Sequence, residues 1–241
     1  MRILITNDDS VTAPGLPGLI AWATKLGEVT VVVPKVEQSA KSHGINIHTP
    51  FAVEQTSLDG YPVWTVDSTP ADCVRYALFG LKKEFDLVIS GVNRGFNVGK
   101  DIMYSGTVSA ISEAVAQGVP GIALSTSAAY YDRVNQHLDM VWDFVQKHKL
   151  LEKCNFYNIN IAADPKCFRI THQGGPYFCD DFKDMGDGTV LAQGKCVHDD
   201  KGDLTLDTDA VIRNCISVMP MTIVRTDLEV YRQLSYLNET N

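Results

Sequence analysis

The sequence is poor in positive charge and lacks the patterns that mark export or a membrane. It sets 21 lysines and arginines against 29 acidic residues, a formal net charge of −8 over 241 residues. That balance leaves no general basic field to hold a DNA or RNA polymer, and no cationic face for a membrane surface. No run approaches the roughly 18 apolar residues that span a bilayer. The opening Met1-Arg2-Ile3-Leu4-Ile5 meets Asp8-Asp9 before an apolar core of signal-peptide length can build, so the expected location is the cytoplasm. The six cysteines, Cys73, Cys154, Cys167, Cys179, Cys196 and Cys215, form no CxxC pair, which argues against a zinc ribbon or a thioredoxin-like site. A cytoplasmic chain of this length needs no disulfide staples, and free thiols are expected. Asn238-Glu239-Thr240 fits the glycosylation sequon and reads as a chance match.

Several catalytic signatures are missing too. Only Gly15 and Gly18 follow the first strand, so there is no dinucleotide GxGxxG. Gly95-Phe96-Asn97-Val98-Gly99-Lys100 falls one residue short of a P-loop and lacks its Ser or Thr. No GxSxG elbow occurs.

What remains is an ordinary globular composition, 45% hydrophobic and 21% charged, arranged as alternating strands and helices. Arg2 to Thr6 and Val29 to Val33 read as buried strands, and Leu16, Leu19, Ile20, Ala23 and Leu26 share a face of a helix over 15–26. Tyr61 to Val66 is a further strand. Thr69 caps a helix with Pro70 at its first position. Phe85 to Ile89, Pro120 to Leu124 and Phe156 to Ile161 read as strands, with a helix from Ser105 to Gln117 and a long helix from Asp132 to Lys149. This alternation predicts an α/β fold with a mainly parallel sheet. It runs to about residue 162. Residues 163–241 read as a β-rich excursion and a C-terminal segment, within one domain spanning 1–241.

In such sheets ligands sit at the carboxyl ends of the strands. The first strand delivers Asp8 and Asp9, the second Gln38, Ser39 and Ser42, and the strand after Phe85 delivers Asn93, Gly95, Asn97 and Gly99. Adjacent carboxylates, a hydroxyl and an amide make a hard-oxygen ligand set that suits Mg²⁺ or Mn²⁺ better than zinc. Ser105-Gly106-Thr107 opens a helix, where backbone N–H groups and the helix dipole favour a phosphate. Each feature has a plainer explanation: a polar turn for Asp8-Asp9, a loop hydroxyl for Ser39, a tight turn for Asn93, a helix cap for Ser105. The fold brings them together. His43 is the one histidine near this constellation.

These residues resemble the SurE (survival protein E) nucleotidases. The match runs through Ile5-Thr6-Asn7-Asp8-Asp9, Ala13-Pro14-Gly15, Gln38-Ser39 and Thr69-Pro70-Ala71-Asp72-Cys73-Val74. It continues through Ser90-Gly91-Val92-Asn93 with Gly95, Asn97 and Gly99, then Tyr104-Ser105-Gly106-Thr107-Val108 and Asp207-Thr208-Asp209-Ala210-Val211. The resemblance implies a three-layer α/β/α, Rossmann-like fold and hydrolysis of nucleoside 5′-monophosphates, with 3′-nucleotides and short polyphosphate as related substrates. It implies one divalent cation per subunit, Mg²⁺ or Mn²⁺, on Asp8, Asp9, Ser39 and Asn93. It places Asp8 and Asp9 in catalysis, and Asn93, Asn97, Ser105, Gly106 and Thr107 on the substrate and its phosphate. It also implies a homodimer or homotetramer with exchanged C-terminal segments, which Thr222 to Leu237 would supply. Ser10, Ala40 and Ser68 stand where the family usually has Gly, and the Pro expected soon after Asn160 is missing. Asp8 is the first choice for assisting an attacking water; the adjacent pair lacks the DxD spacing of phosphatases that form an aspartyl-phosphate. The competing readings are a non-catalytic nucleotide- or phosphate-sensing module on the same fold and a sugar-transferring enzyme.

Overall fold

A computed structural model describes residues 1–238; the last two residues of the Asn238-Glu239-Thr240 sequon lie outside them. The strands are β1 (Arg2–Thr6), β2 (Glu28–Pro34), β3 (Val53–Leu58), β4 (Tyr61–Val66), β5 (Leu87–Arg94), β6 (Gly121–Thr126), β7 (Phe156–Ile161), β8 (Cys167–Ile170), β9 (Phe178–Asp184), β10 (Val190–Cys196) and β11 (Cys215–Pro220). The α-helices are α1 (Leu16–Ala23), α2 (Pro70–Arg75), α3 (Gly106–Ala116), α4 (Leu138–Lys147), α5 (Leu150–Lys153), α6 (Asp207–Ile212) and α7 (Leu228–Leu234).

A nine-stranded sheet in the order β3-β4-β2-β1-β5-β6-β7-β11-β8 forms the middle layer. It is parallel from β4 to β7; β3 and β11 each pair antiparallel with a neighbour. Alternation along the strands builds two cores. Ile3 and Ile5 of β1, with Val31, Val33 and Ile89, meet Leu19 and Ile20 of α1 and Val141 and Val145 of α4. Leu4, Val32 and Val88 turn the other way, to Cys73 and Val74 of α2 and Ile111 and Ala114 of α3. Buried on both faces, these strands need unbroken apolar runs, which is why they were readable from sequence.

The structure departs from the sequence-based expectation in several places. The sheet runs past residue 162, because β8 and β11 join it. β3 was not expected; it is a polar, largely exposed edge strand joined to β4 by Asp59-Gly60, both at positive φ, a two-residue hairpin signal. Residues 178–196 form a separate antiparallel hairpin, β9–β10. The long helix expected from Asp132 divides: Ala128–His137 is 3₁₀ and only Leu138–Lys147 is α-helical. Tyr131 Oη, accepting from the Gly15 N–H, and Asn135, donating to Gly15 O, tie the 3₁₀ part to the turn before α1. The free-thiol expectation also fails at one pair. Cys167 and Cys215 are disulfide-bonded, since β8 and β11 place them opposite each other with Cα atoms 4.7 Å apart, within bridging range. Cys73, Cys154, Cys179 and Cys196 are free. Among the described residues no helix is long and apolar enough to cross a membrane.

Thr69 caps α2 as its sequence position indicates. Its Oγ1 accepts from the Asp72 N–H at 3.1 Å and donates to Gly44 O at 2.7 Å. Thr69→Ala is expected to cost about 1 kcal/mol, read as a lower urea midpoint; an unchanged midpoint would show that the cap contributes nothing.

Candidate active site at the carboxyl ends of β1 and β5

β1 is the switch point of the sheet, with β2 and β4 on one side and β5, β6 and β7 on the other, so its carboxyl end opens onto a crevice. Asp8 follows it, in step with Leu4 and Thr6, and therefore faces α3. It is buried, and its Oδ1 accepts a hydrogen bond from Thr107 Oγ1. Burial pushes its carboxyl up to about 6; neighbouring Asp9 adds to the rise, and the Thr107 hydroxyl and N–H oppose it. Asp8 thus carries a negative charge with no cationic side chain to neutralise it.

Gly106 is required where α3 meets this carboxylate. A Cβ there would stand 2.9 Å from Asp8 Cβ and 3.1 Å from Pro70 Cγ. Ser105 is the helix cap, its Oγ accepting from the Val108 N–H at 3.1 Å. Of the first-turn N–H groups, Val108 bonds the cap and Thr107 bonds Asp8, and such a helix start favours negative charge.

Asp9 Oδ2 accepts from the Arg94 N–H at 3.1 Å. That contact depends on β5 reaching Arg94, beyond the end expected from sequence. The register of β5 on β6 shifts between Ser90 and Asn93, where Gly91 sits at φ 132° with room for no side chain: a Cβ would come within 2.3 Å of Leu124 O. Such irregularities re-aim side chains beside active sites. Asn93 therefore rides on the strand end rather than in a free turn. Its Nδ2 donates to Gly95 O at 2.8 Å, which leaves the Oδ1 for a ligand.

The Ser39 loop is drawn in by backbone contacts. The Gln38 N–H donates to Asp8 O at 2.8 Å, and the Ser42 N–H to Tyr104 O at 3.0 Å. Ser39 Oγ donates to Glu37 at 2.6 Å, keeping its lone pairs for an acceptor role. His43 bonds Glu113 of α3 at 2.8 Å, and Arg75 reaches the same carboxylate at 3.1 Å, so His43 pins this loop to α3.

Asp8, Asp9, Ser39 and Asn93 thus belong to segments that hydrogen bonds draw together, and each has an oxygen able to ligate. An uncompensated buried carboxylate among hard oxygens fits a divalent cation. Asn97 lies deeper. Its N–H donates to Asn160 Oδ1, its Nδ2 to Ser125, and its carbonyl accepts from Asn158 and Asn160. Asn158 and Asn160 carried a sequence signal, two asparagines at i and i+2 in a buried strand. Tyr131, lifted to about 12 by burial and by Asp9, was not foreseen at all. Ser10 and Ala40 hold φ of 76° and 58°, the left-handed conformation that glycine adopts without strain. Ser68 Oγ donates to Asp72. Beside the site, Ser42, His43, Met103, Ser109 and Arg225 line a cavity of about 770 Å³.

The family model described as "Survival protein SurE" matches residues 3–179. The chain is 35% identical over 246 residues to "5′-nucleotidase SurE" of Thermosipho melanesiensis, covering 97% of this chain and 96% of that one. It is 39% identical over 258 residues to "5′-nucleotidase SurE" of Carboxydothermus hydrogenoformans, covering 99% and 94%. The crystal structure of the SurE protein from Aquifex aeolicus superposes with a TM-score of 0.80 at 29% identity, covering 99% of this chain and all of that one.

Asp8→Asn is expected to stabilise the protein in EDTA by about 2 kcal/mol at neutral pH and above. The folded state holds the Asp8 proton more tightly than the unfolded chain. Its favourable contribution is therefore present at low pH and lost as pH rises through about 6. The gain from Asn should fade below that pH. Urea titrations across pH measure it, and a variant no more stable than wild type at neutral pH would contradict the uncompensated charge.

Proposed function

The chain belongs to the SurE family, and on that premise we propose that it is a divalent-metal-dependent 5′-nucleotidase. It hydrolyses nucleoside 5′-monophosphates to nucleoside and phosphate, with 3′-nucleotides and short polyphosphate as further substrates. The observation that carries this reading is the meeting of the buried Asp8 carboxylate with the first turn of α3 through Thr107 and Gly106. A site for a cation and a site for a phosphate share one wall there.

Asp8, Asp9, Ser39 and Asn93 would hold the cation, Mg²⁺ or Mn²⁺, one per subunit. When bound it polarises a phosphate oxygen and neutralises developing charge. Ser105 and the N–H groups of Gly106 and Thr107 grip other phosphate oxygens. Asp8, lifted toward neutral pH by burial, takes a proton from the water that attacks in line. Asp9, fixed by the Arg94 N–H, orients that water. Asn93 and Asn97 border the substrate, and the 770 Å³ cavity has the size for a nucleoside. The cytoplasm is the expected place of work.

The C-terminal helix fits the same reading. α7 buries no residue against its own chain, and Leu228, Val230, Tyr231 and Leu234 are all exposed. Such an apolar helix is covered when a second copy exchanges C-terminal segments with the first, in a homodimer or homotetramer.

Phosphate release from AMP is expected with Mn²⁺, to cease with EDTA, and to fall at least about 100-fold in Asp9→Asn and Asn93→Ala. Nucleotide binding without phosphate release would leave a sensing module instead, and unchanged turnover in both variants would move the site elsewhere. Deletion of residues 222–241 is expected to yield a monomer by size-exclusion chromatography with light scattering; an intact oligomer would place the contact outside this arm.

A further inference from the structure

The Asp207-Thr208-Asp209 run at the start of α6 has no part in the chemistry above, yet it holds two fully buried carboxylates. We propose that Asp207 is a positioning residue for the phosphate site: its carboxylate gathers the N–H groups of Gly99, Gly174 and Thr208 and so fixes the turn that presents Ser105, Gly106 and Thr107.

Asp207 Oδ2 accepts from the Gly99 N–H at 2.9 Å, and Oδ1 accepts from Gly174 at 2.7 Å and Thr208 at 2.8 Å. Two neighbouring bonds reinforce the clasp: Gln173 Nε2 donates to Gly99 O at 2.9 Å, and the Lys100 N–H to Gly175 O at 3.2 Å. Gly99 opens the 3₁₀ turn Gly99–Tyr104, which ends at Ser105 with the Ser105 N–H bonded to Ile102 O at 3.2 Å. On its other side this segment is held at Asn97 by Asn158 and Asn160. The stretch from Asn97 to Thr107 is therefore fixed at its start by two buried polar anchors, the asparagine pair at Asn97 and Asp207 at Gly99. Releasing the Asp207 end loosens the start of the segment that leads into the phosphate-binding turn, and the hydrogen bonds of Asp207 go to Gly99, Gly174 and Thr208 rather than to Asp8 or Asp9.

Asp209 supplies the internal control. It is equally buried and lies two residues away, but it holds a peripheral loop. Its Oδ2 accepts from the Lys201 and Asp203 N–H groups, and His198 pairs with its Oδ1 at 2.8 Å. None of these partners belongs to the site.

The proposal rests on the nucleotidase reading, and its test separates the two. In Asp207→Asn one carboxylate oxygen becomes an NH₂ that cannot accept an N–H. With the Mn²⁺-loaded full chain, calorimetry of inorganic phosphate should show binding weakened about tenfold, about 1.4 kcal/mol. KM for AMP should rise by a similar factor, and Mn²⁺ affinity should stay within about twofold. Asp209→Asn should lower Tm comparably and leave phosphate affinity unchanged. Phosphate affinity within about twofold of wild type in Asp207→Asn, or an equal loss in Asp209→Asn, would overturn the proposal. Should Asp207→Asn fail to fold, Gln173→Ala removes the bond to Gly99 O from an exposed position. A loss of about threefold supports the proposal and an unchanged affinity overturns it. Wild-type protein that neither hydrolyses AMP nor binds phosphate would instead overturn the underlying reading, and the proposal with it.

Discussion

One buried negative charge, that of Asp8, organises the candidate site. Asp8 leaves the water at the end of β1 with a threonine hydroxyl and backbone N–H groups for company, and burial raises its carboxyl to about 6. Desolvating a charge without a counterion is costly, and the fold accepts that cost at the end of β1. The packing around it follows. Gly106 gives up its side chain so that α3 can approach, Pro70 closes the other flank, and the Gln38 N–H caps the Asp8 carbonyl. On the proposed reading, a cation held here would relieve that unfavourable charge, so the property that weakens the fold would be the one that draws the metal in.

The sheet supplies the rigidity this needs. Asp8 and Asp9 directly follow β1, a strand between cores packed on both faces, and Asn93 sits near the end of its neighbour β5. The irregularity in β5 gives that neighbour a second role. By breaking register on β6 between Ser90 and Asn93 it carries the Arg94 N–H to Asp9. The polar layer beneath, Asn97 with Ser125, Asn158 and Asn160, is held by hydrogen bonds from several strand ends. These bonds favour one geometry over others, although among the described residues Asn158 Oδ1 is left without a partner.

Much of this was legible in the residues. The apolar strands and the Thr69 and Ser105 caps follow from local pattern, and the placing of Asp8 and Asp9 just after β1 follows from where that strand ends. What escaped were features that depend on a distant partner. β3 looks polar because its outer face meets water and only its pairing with β4 makes it a strand. The 128–137 segment has helical spacing, but its bonds to Gly15 tighten it to 3₁₀. Cys167 and Cys215 are 48 residues apart and meet only because two strands lie side by side.

The sequence by itself determined the alternation of strands and helices and the acidic balance, since hydrophobic period and residue chemistry are local quantities. Tertiary structure decided which oxygens remain free, how far β5 extends, and what Ser10 and Ala40 must do in the left-handed conformation. It also decided the separate tasks of Asp207 and Asp209, two residues apart and indistinguishable as letters. One carboxylate meets the N–H of Gly99 and the other meets a peripheral loop. The reason is physical: a hydrogen bond is fixed by where its partner comes to rest, and that is settled only when the whole chain packs.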